Sequence, residues 1–405
     1  MVSEDHDGAP NLVERLLPEV RRVMAVNDVT AGGPKQGFAA RFRGRLYRDS
    51  IEAYDRLKPI FAHEDTTLLF RSKGEEHIIL AVPGLIQPKR SNPWVNLGLF
   101  LLTLLSMLLS GVMYGYQGPV GTNLGQLFLN LLRHLDRGIP FAISLLSILA
   151  AHEFGHYLAA RYHNTEVSLP FFLPFPGSPF GTLGAFIQLK EPPRNRRVLL
   201  DIGLTGPLAG LIVAIPILLL GLSLSEVGVL PLNAEEAYGQ ILEGNSLIYL
   251  GIKFLVTRRI LPAPVDFGGV NPVLYWVRYI FLGLPVPYGG LDVFMHPMAW
   301  AGWAGLLVTA LNLIPAGQFD GGHIIYVLFG RRAARLLPFI VVALVVMGVA
   351  WPGWYLWAGL IFFLGRTYAQ PLDDITPLDR RRKALAIVGL IIFLLIFIPV
   401  PMRSL

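Results

Sequence analysis

Apolar residues gather into long runs over most of the chain and into short periodic patterns near its start. Seven runs, at about 94–116, 139–162, 198–222, 298–314, 336–351, 354–364 and 384–400, approach the ~20 residues a membrane-spanning helix needs, the sixth being short. Two further stretches, 241–256 and 273–284, read as interfacial or re-entrant helices. The front of the chain differs. Residues 1–10 read as disordered. Residues 12–26 carry helical periodicity through Leu12, Val13, Leu16, Leu17, Val20, Val23 and Met24, with Pro18 as a kink or as the true start. Residues 38–47 alternate as a strand. Residues 50–63 form a second amphipathic helix with Ser50 as its cap. Strands at 66–71 and 77–82 meet at a Lys73-Gly74 turn. The pattern predicts a polytopic α-helical membrane protein with about seven spans over 94–405, behind a small α+β soluble domain over 1–93.

Composition agrees with that reading. Apolar residues make up 53% of the chain and charged residues 15%, against about 25% charged in typical soluble domains. Mean hydropathy is +0.52. The net charge of +6 comes from Arg and Lys beside apolar runs, where they set topology, so it implies a lipid bilayer and no nucleic-acid partner. Lys89 and Arg90 precede the first run. Arg161, Lys190, Arg194, Arg196 and Arg197 follow the second. Arg331, Arg332 and Arg335 precede the fifth, and Arg380 to Lys383 the seventh. Placing all four groups in the cytoplasm alternates correctly across seven spans and makes the soluble domain cytoplasmic. Arg258, Arg259 and Arg278 then fall outside, against the trend. With no cysteine, disulfides, thiolate ligands and cysteine nucleophiles are excluded. The first ten residues are acidic and polar and do not form a secretory signal. The expected home is the inner (plasma) membrane of a prokaryote.

The soluble domain shows no metal cluster, phosphate loop or nucleophile arrangement. His6, His63 and His77 are scattered and read as ordinary surface or packing histidines, and the domain is expected to regulate or to dock substrate. The chemistry lies in the second apolar run, at His152-Glu153-Phe154-Gly155-His156. Four residues advance a helix by about 400°, so both imidazoles point the same way, roughly 6 Å apart along the axis. That spacing lets two histidines grip one zinc ion, with Glu153 beside them as general base. His156 and His152 lie five and nine residues before Arg161, about 8–14 Å inside the cytoplasmic boundary. An ionisable side chain at the bilayer centre costs roughly 2.5–3.5 kcal/mol, which a bound metal offsets. The alternative is two buried histidines and a hydrogen-bonded glutamate in a helical bundle, as in transporters.

Zinc also needs a third protein ligand and an open position. His163 lies about 10 Å further along the helix and cannot reach. The segment Asn312-Leu-Ile-Pro-Ala-Gly-Gln-Phe-Asp320-Gly321-Gly322-His323 closes the fourth run on the same cytoplasmic side. Pro315, Gly317, Gly321 and Gly322 break the helix, and irregular backbone in a membrane must line a cavity or lie buried in protein. Asp320 is the best third ligand by depth and chemistry, and His323 the second. The bland alternative for Asp320 is a helix cap.

His-Glu-x-x-His on one span, followed by Asn-x-x-Pro-x-x-x-x-Asp-Gly near the end of a later one, resembles the site-2 protease family of intramembrane zinc metalloproteases. It is most similar to the plastid and bacterial branch whose plant members carry the ethylene-dependent gravitropism-deficient name. The resemblance covers about residues 95–370 and includes Gly206-Pro207-Leu208-Ala209-Gly210. It implies one Zn2+ per chain held by His152, His156 and Asp320, Glu153 as catalytic base, and Asn312 positioning substrate or the oxyanion. Gly210 stands where many members have asparagine, so no polar role falls to it. Residues 223–297 are too short and too apolar for a PDZ domain.

Residues 169–180 carry four prolines and cannot form a regular helix. Residues 181–190 can be extended, and the two segments resemble the family's membrane-embedded β-hairpin. A substrate helix must unwind before it is cut, and its freed backbone groups need partners. The edge of the 181–189 strand, with Gly181, Thr182, Leu183, Gly184, Ala185 and Phe186 as the candidate contacts, can supply them by strand addition; the alternative is a loop that plugs the bundle. The expected reaction is hydrolysis of peptide bonds within or near transmembrane segments of membrane-anchored proteins. A zinc-bound water, deprotonated by Glu153, is the nucleophile. The rivals are a metal or proton transporter and a catalytically inactive relative that binds membrane proteins.

Overall fold

The computed structural model describes residues 11–33, 36–87, 91–116, 118, 123–237 and 239–404. Residues 1–10, with His6 and the disordered reading, fall outside these, as do Lys89 and Arg90. Helix α1 (Leu12–Arg21) is opened by a reciprocal capping box between Asn11 and Glu14 and carries Pro18 within it. The expected helix to residue 26 stops short, because Met24 begins a strand. Strand β1 (Met24–Ala31) pairs antiparallel with β2 (Ala40–Leu46), with an irregularity between Val26 and Asp28. Helical periodicity at Val23 and Met24 is overridden by cross-strand pairing, which no local pattern reports. Gly44 makes the approach possible: a Cβ there would lie 1.7 Å from the Ala25 carbonyl oxygen. Helix α2 (Ser50–His63) is capped by Asp49, whose carboxylate accepts from the Ile51 N–H, and not by Ser50. The Ser50 hydroxyl instead meets Thr376, far along the chain. Strands β3 (Thr66–Lys73) and β4 (Glu76–Pro83) complete a four-stranded antiparallel sheet in the order β1-β2-β4-β3. The helices pack on it through Leu16, Val20, Tyr54, Leu57 and Phe61 against Phe42, Phe70 and Ile79, and Leu372 joins this core from the other end of the chain.

Among the described residues, three helices are long and apolar enough to cross a membrane: α3 (Pro93–Gly115), α5 (Leu135–Tyr162) and α6 (Arg196–Ser223). A short helix α4 (Leu124–Arg133), which the apolar runs did not indicate, links the first two. α5 begins four residues before the run at 139, with Pro140 tolerated inside its first two turns. Close crossings rest on small residues, as in membrane bundles generally. A Cβ on Gly138 of α5 would lie 2.2 Å from the Leu108 carbonyl oxygen of α3, and one on Gly155 would lie 2.7 Å from that of Thr205 of α6.

Between α5 and α6 runs a two-stranded ribbon, β5 (Phe171–Pro174) with β6 (Thr182–Phe186). After α6 comes an excursion of β7 (Glu226–Val229), β8 (Ile241–Glu243), α7 (Leu247–Thr257), α8 (Pro272–Leu282) and β9 (Leu291–Phe294), β7 pairing with β9. The apolar stretch at 241–256 is thus a strand and a helix, separated where the Ser246 hydroxyl caps α7 by accepting from the Tyr249 N–H. Lys253 is fully buried here. Its ammonium stands 3.3 Å from Glu243 Oε1 and 3.5 Å from Asp292 Oδ1, and Tyr249 donates to the same Glu243 oxygen.

The remaining runs give α9 (Pro297–Asn312), α10 (Asp320–Phe329), a 3-10 turn at Gly330–Leu336, α11 (Leu337–Met347), α12 (Gly353–Leu364) and α13 (Arg380–Ile396). Strand β10 (Met402–Ser404) returns to pair with β8. The segment 371–376, before α13, is a strap. Leu372 N–H donates to the Pro193 carbonyl and Asp373 N–H to that of Arg194, while Phe70 of β3 exchanges backbone hydrogen bonds with Leu372 and Asp374. Arg71 donates to the Phe70, Pro371 and Leu372 carbonyls, and Asp374 pairs with Arg196 at 2.8 Å. The strap ties the N-terminal sheet to the first turn of α6.

Candidate active site

α5 buries His152, Glu153 and His156 and turns them toward α6, α9 and α10. The two imidazoles meet Nε2 to Nε2 at 3.1 Å. His156 Nδ1 lies 2.7 Å from the Ile202 carbonyl oxygen of α6. Only a protonated Nδ1 can satisfy that acceptor, so the neutral ring turns its Nε2 lone pair inward. Gly206 of α6 makes room: a Cβ there would lie 2.1 Å from His156 Nε2. At Gly210, one turn on, a Cβ would lie 3.3 Å from His152 Nδ1, and glycine offers no polar group.

Asp320 arrives from the break between α9 and α10. Gly317 takes φ +52, and at Gly321 a Cβ would lie 1.9 Å from the Leu313 carbonyl oxygen. Glycine therefore lets the chain double back tightly after Asn312. Phe319 is the N-cap of α10, so Asp320 is its first helical residue and not its cap. Its carboxylate spans both histidines, Oδ2 at 3.2 Å from His152 Nε2 and Oδ1 at 3.3 Å from His156 Nε2. The three donors lie within 4.8 Å of one another and are the one such group among the described residues. Two imidazole nitrogens and a carboxylate oxygen, three protein donors in all, are a donor set suited to catalytic zinc. The glycine cradle holds them converged, so the residues fit the ion.

Asn312, the last residue of α9, brings Nδ2 to 3.3 Å from His152 Nε2. Glu153 and Ile187 line the same cavity. His323 follows Asp320 by one turn but is not in the donor group. His163 closes α5 with its Nε2 2.9 Å from Asp201 Oδ2.

These groups share a cavity of about 270 Å3, lined by His152, Glu153, His156, Asn312, Asp320 and His323, and on one wall by Ala185, Phe186, Ile187 and Leu189. Of the anticipated strand residues, Ala185 and Phe186 therefore reach it. Gly181 packs on α3, where a Cβ would meet the Ser106 carbonyl oxygen at 2.6 Å. Thr182 is buried, donating to the Leu173 carbonyl. Leu183 is 66% exposed, and Gly184 is paired with Leu173. Ile187 and Leu189 reach the cavity as well; they lie past the hairpin and the six residues singled out, but within the extended stretch 181–189. A larger cavity, about 950 Å3, opens between the excursion and the far ends of α3, α5 and α9, and it holds none of the donor group.

Residues 140–351 match peptidase family M50. The "Probable zinc metalloprotease EGY1, chloroplastic" of Arabidopsis thaliana is 30% identical over 272 residues, 66% of this chain and 44% of that one. The "Probable zinc metalloprotease EGY2, chloroplastic" of the same plant is 28% identical over 384 residues, 92% of this chain and 62% of that one. Its counterpart in Oryza sativa subsp. indica is 27% identical over 383 residues. The chain spans less than two thirds of the length of these relatives. No solved structure matches it.

Proposed function

The chain belongs to peptidase family M50, and from that membership we propose that it is an intramembrane zinc metalloprotease. It cuts peptide bonds within or near transmembrane segments of membrane-anchored proteins. The observation that carries the reading is Asp320, brought from a different helix to 3.2 and 3.3 Å from the two histidines of α5. His152, His156 and Asp320 hold one zinc per chain. A zinc ion held there acts as a Lewis acid. Glu153 accepts a proton from the attacking water as the new C–O bond forms, then delivers it to the amine nitrogen as the C–N bond breaks. Asn312 Nδ2, beside His152, donates to the carbonyl oxygen as it gains charge. The strand that includes Ala185 and Phe186 holds the unwound substrate by backbone pairing.

In this reading all seven apolar runs lie in the membrane of a prokaryotic cell. The sheet of β1–β4 sits on the cytoplasmic side with the mouth of the site. The strap that joins this sheet to α6, and the arginines of α6 and α13 at the same end, support that orientation.

The test is metal analysis and cleavage of a single-span substrate by reconstituted protein. The parent is expected to hold about one zinc per chain and to cleave. Glu153→Gln keeps the zinc and loses about 10²–10⁴-fold in rate. Asp320→Ala loses both. Full zinc and full activity in Asp320→Ala would sink the ligand assignment. Zinc without cleavage in the parent would leave the metal site and overturn the protease.

A further inference from the structure

α6 carries glycine at 203, 206 and 210, three and four residues apart and so on one face. Each glycine underlies an imidazole. A Cβ at 210 would lie 3.3 Å from the His152 ring, at 206 2.1 Å from that of His156, and at 203 2.9 Å from His323 Cβ and 3.3 Å from its Cδ2. The third imidazole is therefore seated on the same rail as the two metal-facing ones, yet the donor group does not include it. His323 Nδ1 is enclosed and has no hydrogen-bond partner among the described residues, whereas its Nε2 is not so enclosed. A neutral imidazole carries one donor and one acceptor, and an orphaned buried N–H is rarer than an orphaned acceptor. The proton belongs on Nε2, the nitrogen turned to the open side.

That open side is a junction. His323 lines both the 270 Å3 catalytic cavity and a second cavity of about 740 Å3, and the two share Phe186, Ile187, Leu189 and Gln318 as well. The second cavity runs on between Gln188–Pro193 and Tyr368–Gln370 toward the strap. Its strand wall has one edge in use: Ser168 N–H donates to the Gln188 carbonyl and Lys190 N–H to that of Glu166, with Val167 opposite Leu189. Backbone groups alternate sides along a strand, so those of Ile187 and Leu189 face the other way and line the cavity. An extended chain paired to that edge turns every second carbonyl away from it, and these carbonyls need a donor from elsewhere.

We infer that His323 is a substrate-binding residue whose Nε2–H donates to a backbone carbonyl of the extended chain where it passes from the catalytic cavity into the second one. The inference rests on the protease reading above and adds to it the route taken by the extramembrane side of the substrate. The ligand is a polypeptide backbone, so the contact is blind to side-chain sequence.

The experiment uses the full chain in proteoliposomes with a single-span substrate. Zinc content, KM and kcat are measured for the parent, His323→Phe and His323→Gln. Affinity for the uncleaved substrate is measured in the Glu153→Gln background, alone and combined with each His323 variant. His323→Phe is expected to hold zinc like the parent, to raise KM, and to lower trap affinity by roughly tenfold, the size of one well-made hydrogen bond. His323→Gln, which restores an N–H at similar reach, is expected to recover most of that loss. Loss of zinc in His323→Phe would make the residue a ligand and overturn the inference. Unchanged KM and trap affinity would overturn it too, as would Phe and Gln variants that are equally impaired. A parent that holds zinc but neither binds nor cleaves overturns the protease reading and this inference with it, which separates the two failures.

Discussion

His156 is aimed by two neighbours on α6: the Ile202 carbonyl, which takes its Nδ1 proton, and Gly206, which leaves space beneath its ring. Gly206→Ala puts a methyl group where Nε2 now lies, so the ring must leave the centre. Zinc affinity is expected to fall by about 10–100-fold, as metal titration would show. Gly210→Ala meets His152 at 3.3 Å, a tight contact that a shift of a few tenths of an ångström relieves, and is expected to keep zinc within severalfold. Equal losses in the two variants would contradict the cradle. Sequence alone indicated His152, Glu153, His156 and Asp320, because their spacing is local or tied to a helix break. It could not indicate the glycines' task, since each is defined by a side chain that approaches from another helix. It ranked Asp320 ahead of His323 by depth and chemistry; the two share one face of α10, and the donor group takes in Asp320 and not His323.

At the scale of elements, the helix break after Asn312 and the excursion after α6 solve opposite problems. The break turns polar groups inward. The excursion buries a charge with its partners: Lys253 lies between Glu243 and Asp292, with the Tyr249 ring 4.6 Å from its ammonium. Removing one partner of such a cluster strands the rest without solvent. Lys253→Met is expected to destabilise the fold by about 3–5 kcal/mol, read as a lower thermal midpoint in detergent. Replacing Lys253, Glu243 and Asp292 together by apolar residues of similar size is expected to recover most of that loss. The apolar content of 241–256 was plain in the sequence, and its division was not. β8 exists because β10, from the end of the described chain, pairs with it. Likewise β1 carries helical periodicity at its start and becomes a strand because β2 lies beside it. Where a partner distant in sequence decides the element, local pattern is silent.

At the scale of the whole molecule, the His152–His156–Asp320 group brings α5 to α10 and the strap ties the N-terminal sheet to α6. If one ion is shared by α5 and α10, its removal loosens the packing between them. At free zinc about 100 times its Kd the ion adds roughly 2.7 kcal/mol to stability. A strong chelator is therefore expected to lower the thermal midpoint of the parent and to leave that of Asp320→Ala unchanged. The strap makes a separate prediction. Arg71→Ala withdraws the side chain that donates to Pro371 and Leu372, and limited proteolysis should then cut near residues 366–379 sooner, with helices α5 and α6 as protected as before. The broad division into a sheet-bearing front and a helical remainder was legible from hydropathy. The strap was not, because Leu372 sits in a short polar and proline-containing stretch whose one task is to complete a core made hundreds of residues earlier. That arrangement has a consequence for biosynthesis. At about 5–20 residues per second, the roughly 290 residues between β4 and Leu372 take some 15–60 s to emerge. Throughout that time the first-made sheet waits with a gap in its core and the backbone of Phe70 unpaired on β3. A chain released before residue 372 therefore keeps that gap in its front core and leaves the Phe70 backbone without its strap partners.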